Sequence, residues 1–197
     1  MDTYFALPNA PQAITSYTAH WLKRQWLGQL LLVKTLDQQH EAITELITQW
    51  VLRGPVYLIA AGEWMPQHDE LRYSVYKHTV AFNEALDQLI LSRPFTCLQL
   101  LDLLMEANQQ SNPVLILDFL HLFYNPDVDL SLRQSTLEQC CQYLKRLSLS
   151  NAVAVLVPDM VGEEYRRFFP LVASIADEII EQKNPSSVEA FQQGVLF

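Results

Sequence analysis

The chain has 197 residues, half of them hydrophobic and 18% charged, enough for one compact domain with a sizeable core and too few for two ordinary ones. That balance excludes an intrinsically disordered chain. A net charge of −9 argues against a free-standing nucleic-acid binder, which draws most of its affinity from neutralised phosphates; it permits DNA contact inside a complex whose other members supply the positive charge.

In chain order, residues 1–20 carry Pro8 and Pro11 and few periodic apolar positions, so they read as an N-terminal arm. They show no basic stretch followed by an apolar core, so no signal peptide is expected. The apolar run Gln29-Leu-Leu-Leu-Val-Lys34 predicts a buried strand. Ile43, Leu46, Ile47, Trp50 and Val51 then recur at helical spacing, and Arg53-Gly54-Pro55 ends that helix. Asp37 reads as its N-cap. Val56 to Ala61 is a second strand, broken by Gly62, and a helical segment starts at about Asp69. Leu89-Ile-Leu91 is a third strand and Phe95 to Ala107 a third helix. Val114-Leu-Ile-Leu117 is the strongest strand signal of all. After a loop at 124–129, Leu137, Cys140, Cys141, Leu144 and Leu147 mark a further helix, and Ala152 to Val157 a fifth strand ended by Pro158. Beyond it the pattern is less regular, with a strand near Glu178-Ile-Ile180 and then a polar Asn-Pro-Ser-Ser linker.

Strands alternate with helices, and each strand is a continuous apolar run. Both faces of such a strand are expected to be buried, which predicts an α/β fold with a mainly parallel sheet flanked by helices. No apolar stretch reaches membrane-spanning length, and the expected location is the cytoplasm, or the nucleoid or nucleus for a member of a repair complex. The three cysteines, Cys97, Cys140 and Cys141, have no metal-ligand spacing and read as reduced core residues. The five histidines form no metal-ligand pattern either. Asp127, Asp129 and Glu63 read as solvated acids. No metal or cofactor is expected.

Several segments resemble the RecA/RadA recombinase superfamily in the order that superfamily uses, over roughly residues 25–182. Tyr57 to Pro66 resembles the strand and turn that carry the catalytic glutamate, and Leu91-Ser-Arg-Pro-Phe-Thr96 the segment after the next strand. Val114-Leu-Ile-Leu-Asp118 resembles the Walker B strand, Ala154-Val-Leu-Val-Pro-Asp159 the strand that ends in a phosphate-sensing amide, and Ile175 to Ile180 a late core strand. The resemblance implies a three-layer RecA-like domain over 21–185, followed by a C-terminal tail over 186–197.

It also shows what is missing. The family's phosphate cradle needs glycines, because its backbone N–H groups must bend toward the phosphates. No glycine lies between Gln29 and Arg53, so Lys34-Thr35 lacks its loop. The catalytic glutamate position falls on Ala61, and the sensing amide on Asp159. Only Asp118 survives. It reads either as a vestigial Mg²⁺ ligand or as a polar strand end held by local hydrogen bonds, and the lost context favours the second. The resemblance therefore implies a degenerate ATPase that is not an enzyme and has no catalytic residue.

Two further places bear on partners. Glu163 to Phe169 corresponds to a DNA-contacting loop in the family, where Tyr165, Arg166 and Arg167 would grip and stack on single-stranded bases. The alternative is a short amphipathic helix with Phe168 and Phe169 in the core and the arginines in water. The ending Gln193-Gly-Val-Leu-Phe197 resembles the peptide by which bacterial repair proteins dock on the sliding clamp, with Gln193, Leu196 and Phe197 as anchors; the alternative is a terminal strand in the sheet. The expected function is that of a RecA-like accessory factor in recombination or repair. Its partners would be proteins: a recombinase, a RecA-like paralogue, a polymerase or the clamp. Any DNA binding would be weak or complex-dependent. The competing expectation is a protein-binding regulator of cell division like SulA, which has a RecA-like fold without a phosphate loop and needs no DNA.

Overall fold

The computed structural model describes residues 28–35, 40–109, 111–160 and 162–181. The expected arm, the Asp37 cap, His20 and the Gln193, Leu196 and Phe197 peptide lie outside the described residues.

Six strands form one wholly parallel sheet in the order β3-β2-β4-β5-β1-β6. They are β1 (Leu30–Thr35), β2 (Val56–Ala60), β3 (Leu89–Ser92), β4 (Val114–Leu117), β5 (Val153–Pro158) and β6 (Glu178–Glu181). The helices are α1 (His40–Val51), α2 (His68–Tyr76), α3 (Phe82–Leu86), α4 (Cys97–Ala107), α5 (Leu130–Ser148) and α6 (Glu163–Ile175). A 3₁₀ turn, His121–Phe123, follows β4.

Alternation along each strand divides the core in two. Leu31, Val33, Leu58, Leu115 and Leu156 face α1, α2 and α3, whereas Leu32, Ile59, Ile116, Val155 and Val157 face α4, α5 and α6. Each of these side chains is at most 2% exposed; full burial of one such group stabilises the fold by about 1.5–3 kcal/mol relative to leaving it in water. The result is a three-layer α/β architecture consistent with a RecA-like core. No helix among the described residues is long and apolar enough to cross a membrane.

The expectation that every strand is buried on both faces holds for the four inner strands and fails at the edges. β3 and β6 are only partly covered, because an edge strand has a neighbour on one side alone. The ends of the helices follow local chemistry. Thr96 caps α4 by accepting the Gln99 N–H at 3.2 Å, and Asp129 caps α5 by accepting the Ser131 N–H at 2.8 Å. Asp129 is therefore a structural acid. Cys97, Cys140 and Cys141 are buried free thiols; burial pushes Cys141 up to about 12 and raises the other two, so all three stay protonated and unreactive.

Candidate functional site

In an open parallel sheet, ligands bind outside the carboxyl ends of the strands, where neighbouring strands send their following helices to opposite faces. Two such crevices flank the central strands β4 and β5. β2 leads to α2 on one face while its neighbour β4 leads to α5 on the other. β1 leads to α1 while its neighbour β5 leads to α6 on the opposite face. Each crevice is filled by the chain's own side chains.

Between β2 and β4, Gly62 meets Asp118. A Cβ placed on Gly62 would lie 2.1 Å from Asp118 Oδ2 and 2.4 Å from Asp118 Cβ, so only glycine fits. Asp118 itself sits in the left-handed region, φ +52°, which aspartate tolerates better than most residues. Its carbonyl accepts the His121 N–H at 2.9 Å and closes the 3₁₀ turn. Burial raises the pKa of its carboxyl, and His121 and His40 partly offset that shift. His40 in turn stacks on Trp64, with ring centroids 4.4 Å apart. Ala61 is a buried methyl group, 2% exposed. Glu63 is exposed and meets Arg93 only through its carbonyl, at 3.3 Å. The end of β2 thus carries a buried methyl group at Ala61 and an exposed carboxylate at Glu63.

Between β5 and β1, the closure is ionic. Lys34 Nζ lies 3.2 Å from Asp159 and 3.3 Å from Glu181, so one cation ties together the ends of β5, β1 and β6. Burial alone would lower the lysine pKa, but the two carboxylates outweigh it and the net shift is upward. The Asp159 N–H donates to the Thr35 carbonyl at 2.8 Å, which zips the two strands together at their tips. Phe169 lies under the ammonium, 5.5 Å from ring centroid to Nζ.

The segment expected to be either a DNA-contacting loop or an amphipathic helix is helix α6. Phe168 is fully buried and Phe169 half-buried, while Arg166 and Arg167 are exposed. Arg167 pairs with Glu163 at 3.6 Å, one turn away. Tyr165 departs from the stacking role. Its ring lies 4.9 Å from Phe169 in a stacked arrangement, and its hydroxyl is buried without a hydrogen-bond partner among the described residues. The tyrosine and the two arginines therefore do not form one exposed grip in this conformation.

Sequence reasoning missed a polar group beneath α6. Arg133 is buried; its guanidinium donates to the Phe123 carbonyl at 2.9 Å and pairs with Glu164 at 2.7 Å. Arg133 Nε and the Tyr124 hydroxyl are buried and without partners among the described residues, like the Tyr165 hydroxyl. Burial raises Tyr124 well above the ordinary phenol range, with Tyr165 and Glu164 adding to the shift. Only the helical spacing of Arg133 on α5 and its distance from Glu164 in sequence were available, and neither announces a contact. Among the described residues, no group of three or more His, Cys, Asp or Glu side chains is placed to hold a metal ion. Asp118 belongs to no such group. No protein-family model matches the chain, and no curated protein matches it.

Proposed function

We propose that the chain is a non-catalytic RecA-like binding protein, an accessory factor in DNA recombination or repair that works through protein partners and, within a complex, single-stranded DNA. One observation carries the non-catalytic half. The cation at the end of β1 is held by Asp159 and Glu181. A nucleotide phosphate would have to displace two carboxylates of its own sign, without glycines to bring backbone N–H groups to it. The buried methyl of Ala61 adds to this, since it stands at the position that the resemblance assigns to the catalytic glutamate. The binding half rests on the resemblance in segment order, on the exposed Arg166 and Arg167, and on the Gln193, Leu196 and Phe197 ending.

The test is equilibrium binding of labelled single-stranded DNA and of a purified sliding clamp, to the full chain and to a chain lacking residues 193–197. The reading expects clamp binding that disappears with the truncation, and DNA binding that strengthens when a recombinase is present. No binding to clamp or DNA, alone or with the recombinase, contradicts it.

A further inference from the structure

We infer that the first half of α6 is a hinged lid over the end of β1, and that the closed lid withholds Tyr165 from any partner. The inference deepens the reading of α6 as a contact surface and rests on it for its consequence, not for the hinge itself.

The hinge is Pro170, inside the helix. Proline has no N–H, so the Arg166 carbonyl loses its partner one turn ahead and the helical ladder is interrupted between 166 and 170. The N-terminal side is weakly tied at its start as well. Gly162 occupies the cap position and offers no side chain to the free N–H groups. Residues 163–169 are therefore the part of the helix that lacks a side-chain cap at one end and a backbone hydrogen bond at the other.

What holds that piece down is divided against itself. Phe168 packs near Phe123 and Tyr124, at 6.4 Å and 6.3 Å between ring centroids, and Glu164 latches onto Arg133. Against these stand three buried polar atoms without partners on the same side of α6: the hydroxyls of Tyr124 and Tyr165, and Arg133 Nε. Each is desolvated by the closed lid and returns to water when it opens. Orphaned donors lower the cost of opening this contact below that of the same packing with every donor paired. Lifting the piece frees the Tyr165 and Phe169 rings, uncovers Lys34, and places Tyr165 beside Arg166 and Arg167 on one accessible segment. Arg–aromatic segments of that kind suit single-stranded nucleic acid.

Amide hydrogen exchange on the full chain, without ligand, tests the hinge. Amides of Arg167, Phe168, Phe169, Leu171, Val172 and Ala173, whose acceptors one turn back are carbonyls of residues 163–169, are expected to exchange on the order of ten-fold faster than those of Ser174 and Ile175, whose acceptors lie at or beyond Pro170. Tyr124→Phe and Tyr165→Phe, which remove the orphaned hydroxyls and keep the rings, are expected to slow the exchange of 167–169. Uniform protection along α6, or faster exchange in the phenylalanine variants, overturns the lid. Oligothymidylate added to the same sample reports on the other reading. An open lid without an oligothymidylate effect leaves the hinge standing and contradicts the DNA contact.

Discussion

The two crevices that flank β4 and β5 at the carboxyl edge of the sheet are closed by opposite means. Between β2 and β4 the closure is steric: Gly62 lets Asp118 come so close that no side chain fits, and the carboxylate is left partly desolvated. Between β5 and β1 it is electrostatic: Lys34 joins two carboxylates and lies over an aromatic ring. A nucleotide-hydrolysing core needs the reverse, a free cation and a flexible glycine loop at the second place, with exposed carboxylates at the first. The difference teaches that the ionic groups of this edge are spent on holding strands together and that its glycine is spent on packing.

The comparison can be broken at several points. The largest effect is expected under the ionic crevice, at Phe168. It is fully buried between Phe123 and Tyr124, so Phe168→Ala is expected to lower stability by about 3–5 kcal/mol in urea unfolding. At the steric crevice, Gly62→Ala is expected to cost about 1–3 kcal/mol through overpacking. The clash reaches Asp118 Cβ, so rotating the carboxylate cannot relieve it. Asp118→Gly in the same chain is expected to restore part of the loss.

Smaller effects separate the two acids by sign. Asp177, at the opposite end of β1, accepts from Lys145 at 2.5 Å and from the Leu30 N–H at 2.8 Å. Those bonds hold its carboxyl below the ordinary range. Its contribution is therefore present above the unfolded carboxyl pKa and is lost as pH falls through the lower folded value. Asp177→Ala is expected to cost about 1 kcal/mol at neutral pH, given its partial exposure, and to flatten the acid limb of the stability profile. Asp118 runs the other way. Burial holds its folded pKa above the unfolded value, so stability falls as pH rises through the window between the two. Asp118→Asn, which keeps the shape and the left-handed preference, is expected to raise the melting temperature slightly at neutral pH and to leave it unchanged in acid. A lower melting temperature at neutral pH would show that the carboxylate is stabilised by a partner.

The inner strands were legible because a strand covered on both faces is apolar over a continuous run, and Leu30–Val33, Val56–Ala60, Val114–Leu117 and Val153–Pro158 all show it. The edges gave shorter signals: Glu178–Glu181 has only two apolar residues, of which Ile179 is exposed. Helix α6 was legible as one of two readings, a short amphipathic helix, but not in its extent to Ile175, because Pro170 lies inside it and only Phe168 and Val172 reach the buried core. The loss of a phosphate loop was visible as a missing glycine. The Lys34 cluster was not, because it depends on β5, β1 and β6 being neighbours, and local pattern carries no information about strand order. Gly62 read as a strand break; its contact with Asp118 follows from the pairing of Ala60 with Leu117, which only the folded sheet supplies.

The most direct test of the central claim is calorimetric titration of the full chain with ATP and Mg²⁺. Both crevices are occupied by the chain's own groups, so no binding is expected up to millimolar nucleotide. Saturable binding with a micromolar Kd would contradict the account, because it would require Lys34 to leave Asp159 and Glu181 for a phosphate.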